Sequence, residues 1–278
     1  MRKSLFKIII PIIIIFACFF IINPKNEQAG KATDKNDNKH TDRIPVLTFH
    51  RLVPDDVKKR VFPNNQWVGS VKVFEKMINY LYKNGYQTIS TEEFYNWYKG
   101  DVEYSEKTVL ITFDDGFYED YYLALPVLKK YNFKATSFVV GSRIKEITRP
   151  YDKYKTAFLG LDVINKVRKE YPNFEFQSHS YNMHYYTKGN KHRIKSMSYE
   201  EMEMDTKLNE KYKFTTMAYP YGDFNPQIQE ILEKNNYLVA FRFGPSGYAT
   251  RKSDRYAIPR IKINGKATLN TLEKWLKY

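Results

Sequence analysis

The stretch Thr108-Val-Leu-Ile-Thr-Phe113 constrains the fold most, because it is apolar or β-branched at every position and is cut short by Asp114-Asp115-Gly116. A strand with one wet face alternates, whereas an unbroken run of this length is covered on both faces, as in parallel sheets. Parallel strands need crossover connections, usually helical. The rest of the chain supplies both parts. Strands are predicted at Pro45–Phe49, Tyr86–Ile89, Ala135–Val140, Phe174–Ser178, Thr215–Tyr219, Tyr237–Phe243 and Tyr256–Ile261. Helical spacing lies between them, from Ser70 (Val71, Phe74, Ile78, Leu81) to Gly85, then over Thr91–Tyr98, Tyr118–Tyr131, Leu161–Tyr171, Ser198–Tyr212 and Pro226–Asn235. Seven or eight strands alternating with helices predict an α/β fold, a closed or nearly closed, distorted (β/α) barrel in a single domain.

The residues that follow these strands test that reading. His50, Asp114-Asp115, His179 and Tyr219-Pro220-Tyr221-Gly222 each come directly after one of them. In a barrel they share the rim at the C-terminal ends of the strands, where active sites are built.

Ahead of the barrel, Arg2, Lys3 and Lys7 precede an uncharged run from Ile8 to Ile22. Residues 1–22 therefore read as an export signal that is cleaved or kept as a membrane anchor. Ile15-Phe-Ala-Cys18 loosely resembles a lipobox, which adds a lipid anchor at Cys18 as a third form. Residues 23–42 have the composition of a disordered linker, and the domain is expected over 43–278. Cys18 is the only cysteine, so the domain has no disulfide, cysteine nucleophile or cysteine metal ligand. The formal net charge of +14 predicts retention by anionic cell-surface components. Its basic residues are scattered rather than striped, so nucleic acid is not an expected partner, and no obligate protein partner is predicted. With 24 Tyr and 19 Phe, some rings are available to line a groove, where they stack on sugar faces, or simply to fill an aromatic core.

Adjacent carboxylates at a strand end resist joint ionisation unless a cation lies beside them, although Asp-Asp-Gly is also a turn sequence. His179-Ser-Tyr-Asn-Met-His184 brings two imidazoles to the same rim. Two His and one Asp form an open zinc-type site with room for water. His192, between Lys191 and Arg193, reads as an ordinary surface residue.

Together these motifs resemble the polysaccharide deacetylases that share the NodB-homology domain, carbohydrate esterase family four. Thr112-Phe-Asp-Asp-Gly116 matches the first motif, and His179-Ser180 with His184 matches the second with one extra residue between the histidines. That spacing is similar to the subgroup that deacetylates poly-β-1,6-N-acetylglucosamine in biofilms. The resemblance runs from about Pro45 to Ile263 and implies a NodB-like barrel and a hydrolase releasing acetate from an extracellular N-acetylglucosamine polymer. It also implies that Asp115, His179 and His184 bind a divalent metal, with Zn²⁺ favoured by ligand type, and that Asp114 is the base. The third motif departs from the family, because Ala218 stands where an arginine is usual. Its Tyr219-Pro220-Tyr221 turn is expected to line the groove and to lend the Tyr221 N–H to the oxyanion. The family usually draws its general acid from a histidine near the C-terminus, but none follows His192, so the resemblance to the biofilm subgroup implies a permuted arrangement with His50 as the acid, unless it is a buried or capping histidine. Arg260 is placed to orient Asp114 or to make a structural ion pair. Competing readings are a peptidoglycan- or chitin-type deacetylase, an O-acetyl esterase, and a surface glycan-binding protein without turnover.

Overall fold

Two faces of one strand explain why the Thr108–Phe113 run does not alternate. Val109, Ile111 and Phe113 pack with the helix residues Phe74, Ile78, Leu128 and Leu272. Leu110 instead joins Val46, Phe138, Ala218, Phe241 and Ile258 from other strands and bridges, with Phe94 and Trp97 of the helix Thr91–Lys99 packed among them, so this cluster fills the inside of a curled sheet. The computed structural model describes residues 40–277; the expected export segment and most of the linker lie outside the described residues. Contacts with the domain are already present at Thr41, whose N–H donates to the Tyr104 carbonyl and whose own carbonyl accepts from the Trp97 indole.

The main sheet has eight strands. Val239–Phe241, Thr216–Ala218, Phe174–Ser178, Ala135–Val139, Thr108–Phe113, Val46–Phe49 and Ile261–Lys262 follow in that spatial order, and Gln87–Ile89 pairs with the first half of Thr108–Phe113. Every one of these pairings is parallel. A single parallel bridge from Phe241 to Ile258 joins the first strand of this order to the segment that enters the last, so the sheet curls into a distorted (β/α) barrel.

Helices cross between strands as their caps dictate. Ser70 accepts the Val73 N–H at the start of Val71–Lys83, and capping boxes from Ser90 to Glu93 and Ser198 to Glu201 open Thr91–Lys99 and Tyr199–Leu208. Gly100, at φ 90°, ends Thr91–Lys99 with a left-handed residue.

Several elements differ from the expectation for identifiable reasons. The final strand, expected over Tyr256–Ile261, is a strand only at Ile261–Lys262, because Pro259 has no N–H to give a ladder. The expected helix over Tyr118–Tyr131 begins as a π-type turn at Asp120–Ala124 before becoming α-helical at Leu125–Lys130. Such turns re-aim the residues beside them and recur at functional sites. A short helix at Asp55–Val61, the parallel pair Arg51–Val53 with Val68–Ser70, and a C-terminal helix at Leu269–Leu276 were not anticipated. Among the described residues no helix is long and apolar enough to cross a membrane.

Candidate active site

Three loops leaving the C-terminal ends of strands Thr108–Phe113, Phe174–Ser178 and Thr216–Ala218 meet in one cavity of about 550 Å³. Each is held in a left-handed backbone conformation at a residue other than glycine: Asp115 at φ 78°, Ser180 at φ 63° and Tyr221 at φ 61°. L-residues seldom adopt this geometry outside Asn and Asp, and it is kept where the surroundings over-determine it. Gly222 is also left-handed, and a Cβ there would collide with the backbone of Phe243, so this turn needs glycine at that position.

The Thr108–Phe113 strand delivers Asp114, buried at 2 % exposure. Arg260, equally buried, grips it with both nitrogens, Nη1 to Oδ1 and Nη2 to Oδ2, each at 2.7 Å. Burial alone would raise the Asp114 pKa; the Arg260 charge, followed by His179, more than offsets it, and the carboxyl is held below its ordinary range. The break at Pro259 sits directly before this arginine. His50, at the end of Val46–Phe49, lies with Nε2 4.0 Å from Asp114 Oδ2, against Trp67 and Phe243 at ring separations of 4.9 and 5.6 Å. Burial lowers its pKa, outweighing the attraction of Asp114 and Asp115.

Asp115 turns the other way. Its Oδ1 is 2.9 Å from His184 Nε2 and 3.8 Å from His179 Nε2, and the three ligand atoms lie within 4.8 Å of one another. His179 Nδ1 is 2.7 Å from the Ala218 carbonyl, which can only accept, so the proton sits on Nδ1 and the Nε2 lone pair faces Asp115. A backbone carbonyl fixing the tautomer in this way is the usual arrangement behind a metal-binding histidine. Burial also pushes the His179 pKa down to about 4, keeping the ring neutral. Asp115 is nearly buried; burial would raise its pKa, but His184 and then His179 hold it well below the carboxylate range. Its Oδ1 is buried with no hydrogen-bond partner of accepted geometry. An ionised, under-satisfied oxygen facing two imidazoles fits a divalent cation.

The structure thus brings Asp114, Asp115, His179, His184, His50, Arg260 and Tyr221 together, and corrects two other expectations. Tyr219 does not line the cavity: its side chain is wholly buried, stacked on Phe224, and its hydroxyl donates to the Tyr256 carbonyl. Pro220 is buried beside it. The turn points only its third residue at the site because Tyr219 faces the core and Tyr221 takes the left-handed conformation. His192 is not a simple surface residue either. It stacks on Tyr221 at 4.0 Å and 13°, pairs through Nδ1 with Asp223, and so extends a ring series that reaches His184, 4.5 Å from Tyr221.

Trp67, Arg143, Tyr185, Tyr186 and Phe243 complete the walls and were not singled out beforehand. The Arg143 guanidinium reaches the His184 carbonyl at 3.2 Å and lies 3.7 Å from Asp115. Its position after the Ala135–Val139 strand was the available signal, since that strand also ends at the chemical rim.

The barrel with this Asp-Asp and His-His rim defines a class of hydrolases, and the chain belongs to the polysaccharide deacetylase family, whose model matches residues 101–240, half of its length. Among individual relatives, it is 29% identical over 253 residues to the poly-β-1,6-N-acetyl-D-glucosamine N-deacetylase of Staphylococcus aureus strain MRSA252, covering 83% of this chain and 82% of that protein. Among solved structures, the Streptococcus pyogenes deacetylase PplD in complex with acetate superposes with a TM-score of 0.69 at 22% identity, covering 85% of this chain and 99% of that one. IcaB from Ammonifex degensii gives 0.68 at 22% identity over 86% and 98%. At that identity these two structures bear on the fold.

Proposed function

We propose that this deacetylase is a metal-dependent enzyme that removes N-acetyl groups from poly-β-1,6-N-acetyl-D-glucosamine outside the cell, in maturation of a biofilm polysaccharide. The observation that carries the reading is the convergence of Asp115, His179 and His184 beside the buried Asp114–Arg260 pair, in an aromatic-walled cavity. Likeness to the staphylococcal enzyme supports the choice of polymer. Residues 1–22 direct export or anchoring, the segment between them and His40 serves as a tether, and the remainder, which includes the docked Thr41, is the catalytic domain held near an anionic surface.

Asp115, His179 and His184 would hold the metal, with Zn²⁺ the best match to two imidazoles and one carboxylate. When bound, the ion supplies a Lewis acid that polarises the acetyl carbonyl and makes water a better nucleophile near neutral pH. Asp114, kept ionised by Arg260, takes a proton from the attacking water, whose oxygen adds to the carbonyl carbon. The Tyr221 N–H donates to the oxyanion that forms, from a turn whose geometry is set in advance. An amide nitrogen leaves only when protonated. His50 is neutral at rest because of its burial, so the proton it passes on comes from Asp114, 4.0 Å away, which has just received one. Cleavage of the C–N bond releases acetate and a free amine. Trp67, Tyr185, Tyr186 and Phe243 offer ring faces to the pyranose.

The reading is tested by incubating β-1,6-linked N-acetylglucosamine oligomers with the protein and measuring amine and acetate release. Release that a chelator stops and Zn²⁺ restores is expected; a folded protein that deacetylates only β-1,4-linked chains would overturn the polymer assignment. The acid role has its own test. His50→Phe keeps a ring against Trp67 and Phe243 but removes the proton carrier, and kcat is expected to fall about 10²-fold. Wild-type turnover in this variant would move the acid elsewhere.

A further inference from the structure

The two histidines of the site are separated by four residues, and nothing in their own sequence says how that loop keeps both rings aimed at Asp115. The structure supplies an answer from a distant element. Asp205, on the helix Tyr199–Leu208, directs one carboxylate oxygen to the Tyr181 N–H and the other to the Asn182 N–H, each at 2.7 Å. Two consecutive amides aimed the same way form an anion-binding concavity, and here a side chain fills it. Other polar groups of the loop are held as well. Gly141 and Ser142 donate to the carbonyls of Ser180 and Tyr181 at 3.0 and 2.8 Å, and the Ser180 hydroxyl accepts the Met183 N–H at 3.0 Å. Asn209, at the end of the same helix, donates to the Ser178 hydroxyl, which in turn accepts the Ser180 N–H.

We propose that Asp205 is a positioning residue for the metal site, clamping the segment between His179 and His184 so that both imidazoles face Asp115 before an ion arrives. This rests on the metal-binding role given above to those three residues. Asp205 is buried at 6 % exposure, and burial raises its pKa to about 6 despite the two backbone donors. A buried carboxylate that burial makes harder to ionise is a poor device for stability alone. Its placement is accounted for by what it holds. Partners one step removed from a ligand commonly set metal affinity over about 10- to 100-fold.

The test is Zn²⁺ affinity of the full chain, measured by competition with a chromophoric chelator and without any glycan. Asp205→Asn leaves one acceptor and turns an NH₂ group towards a backbone N–H. Its Zn²⁺ Kd is expected to rise about 10- to 100-fold, with acetate release largely recovered at saturating Zn²⁺. Asp205→Glu keeps the charge and both acceptors on a longer arm, and is expected to fall between the two. It also stands in if the Asn variant does not fold. Unchanged Zn²⁺ affinity in a folded variant, with only the melting temperature lowered, would show a merely structural residue and overturn the proposal. A wild-type chain that binds no Zn²⁺ would overturn the metal reading together with this one, whereas failure on the chosen glycan would touch neither.

Discussion

Asp114→Asn is expected to lower kcat by about 10³- to 10⁴-fold while leaving Zn²⁺ affinity close to that of the wild type, because the amide has the carboxylate's shape and none of its basicity. The separation of roles rests on geometry. Asp114 has both oxygens engaged by Arg260, whereas Asp115 faces His179 and His184 with Oδ1. Two neighbouring carboxylates are thereby divided between one guanidinium and one cation-binding set, which is how like charges this close are both kept ionised. Kinetics on β-1,6-linked oligomers and a metal titration on the same preparation check the claim. Turnover within tenfold of wild type would remove Asp114 from the base role, and lost metal binding would instead place it among the ligands.

Arg260→Met should destabilise the fold by about 3–5 kcal/mol, since it strands a buried carboxylate without its counter-charge. Both partners are almost completely buried, so solvent offers Asp114 little compensation. The same variant is expected to lose most activity, because an uncompensated Asp114 is easier to protonate and no longer aimed. Urea denaturation measures the first effect. The double variant Arg260→Met/Asp114→Asn should recover much of the lost stability, because the stranded charge is gone. A stability loss below about 1 kcal/mol for the single variant would mean that the pair is solvated in solution and does not hold the base.

Legibility in the sequence followed local order. Phe174–Ser178 and Thr108–Phe113 have the predicted bounds, and each hands its chemistry to the rim through the next residue. Asp114, Asp115, His179 and His184 were readable because strand ends gather on one face of a barrel. What stayed hidden depends on long-range placement. Trp67 is a single aromatic residue in a connecting segment, and Phe243, read as the end of the strand expected over Tyr237–Phe243, lies beyond the observed strand Val239–Phe241; neither is distinguishable in sequence from the many other rings. Asp205 sits mid-helix among Glu200, Glu201 and Glu203, where any acid reads as surface. Tyr219 was assigned to the groove because the turn was taken whole; backbone conformation at Tyr221 decides which of its side chains turns outward. His192 looked like part of a basic run, and only the short strand pair Tyr186–Thr187 with Lys191–His192 folds it back on Tyr221.

The seam at Pro259 has a bearing on when the enzyme becomes competent. Arg260 reaches a carboxylate that lies 146 residues earlier in the chain, from the segment that also closes the sheet against Phe241. During synthesis, Asp114 therefore emerges long before its counter-charge. Until residue 260 docks, the proposed base lacks the guanidinium that lowers its pKa, and the bridge from Phe241 to Ile258 is not yet made. In the proposed mechanism, completion of the fold and arming of Asp114 become a single late event, so a chain that ends before residue 260 would carry no working site.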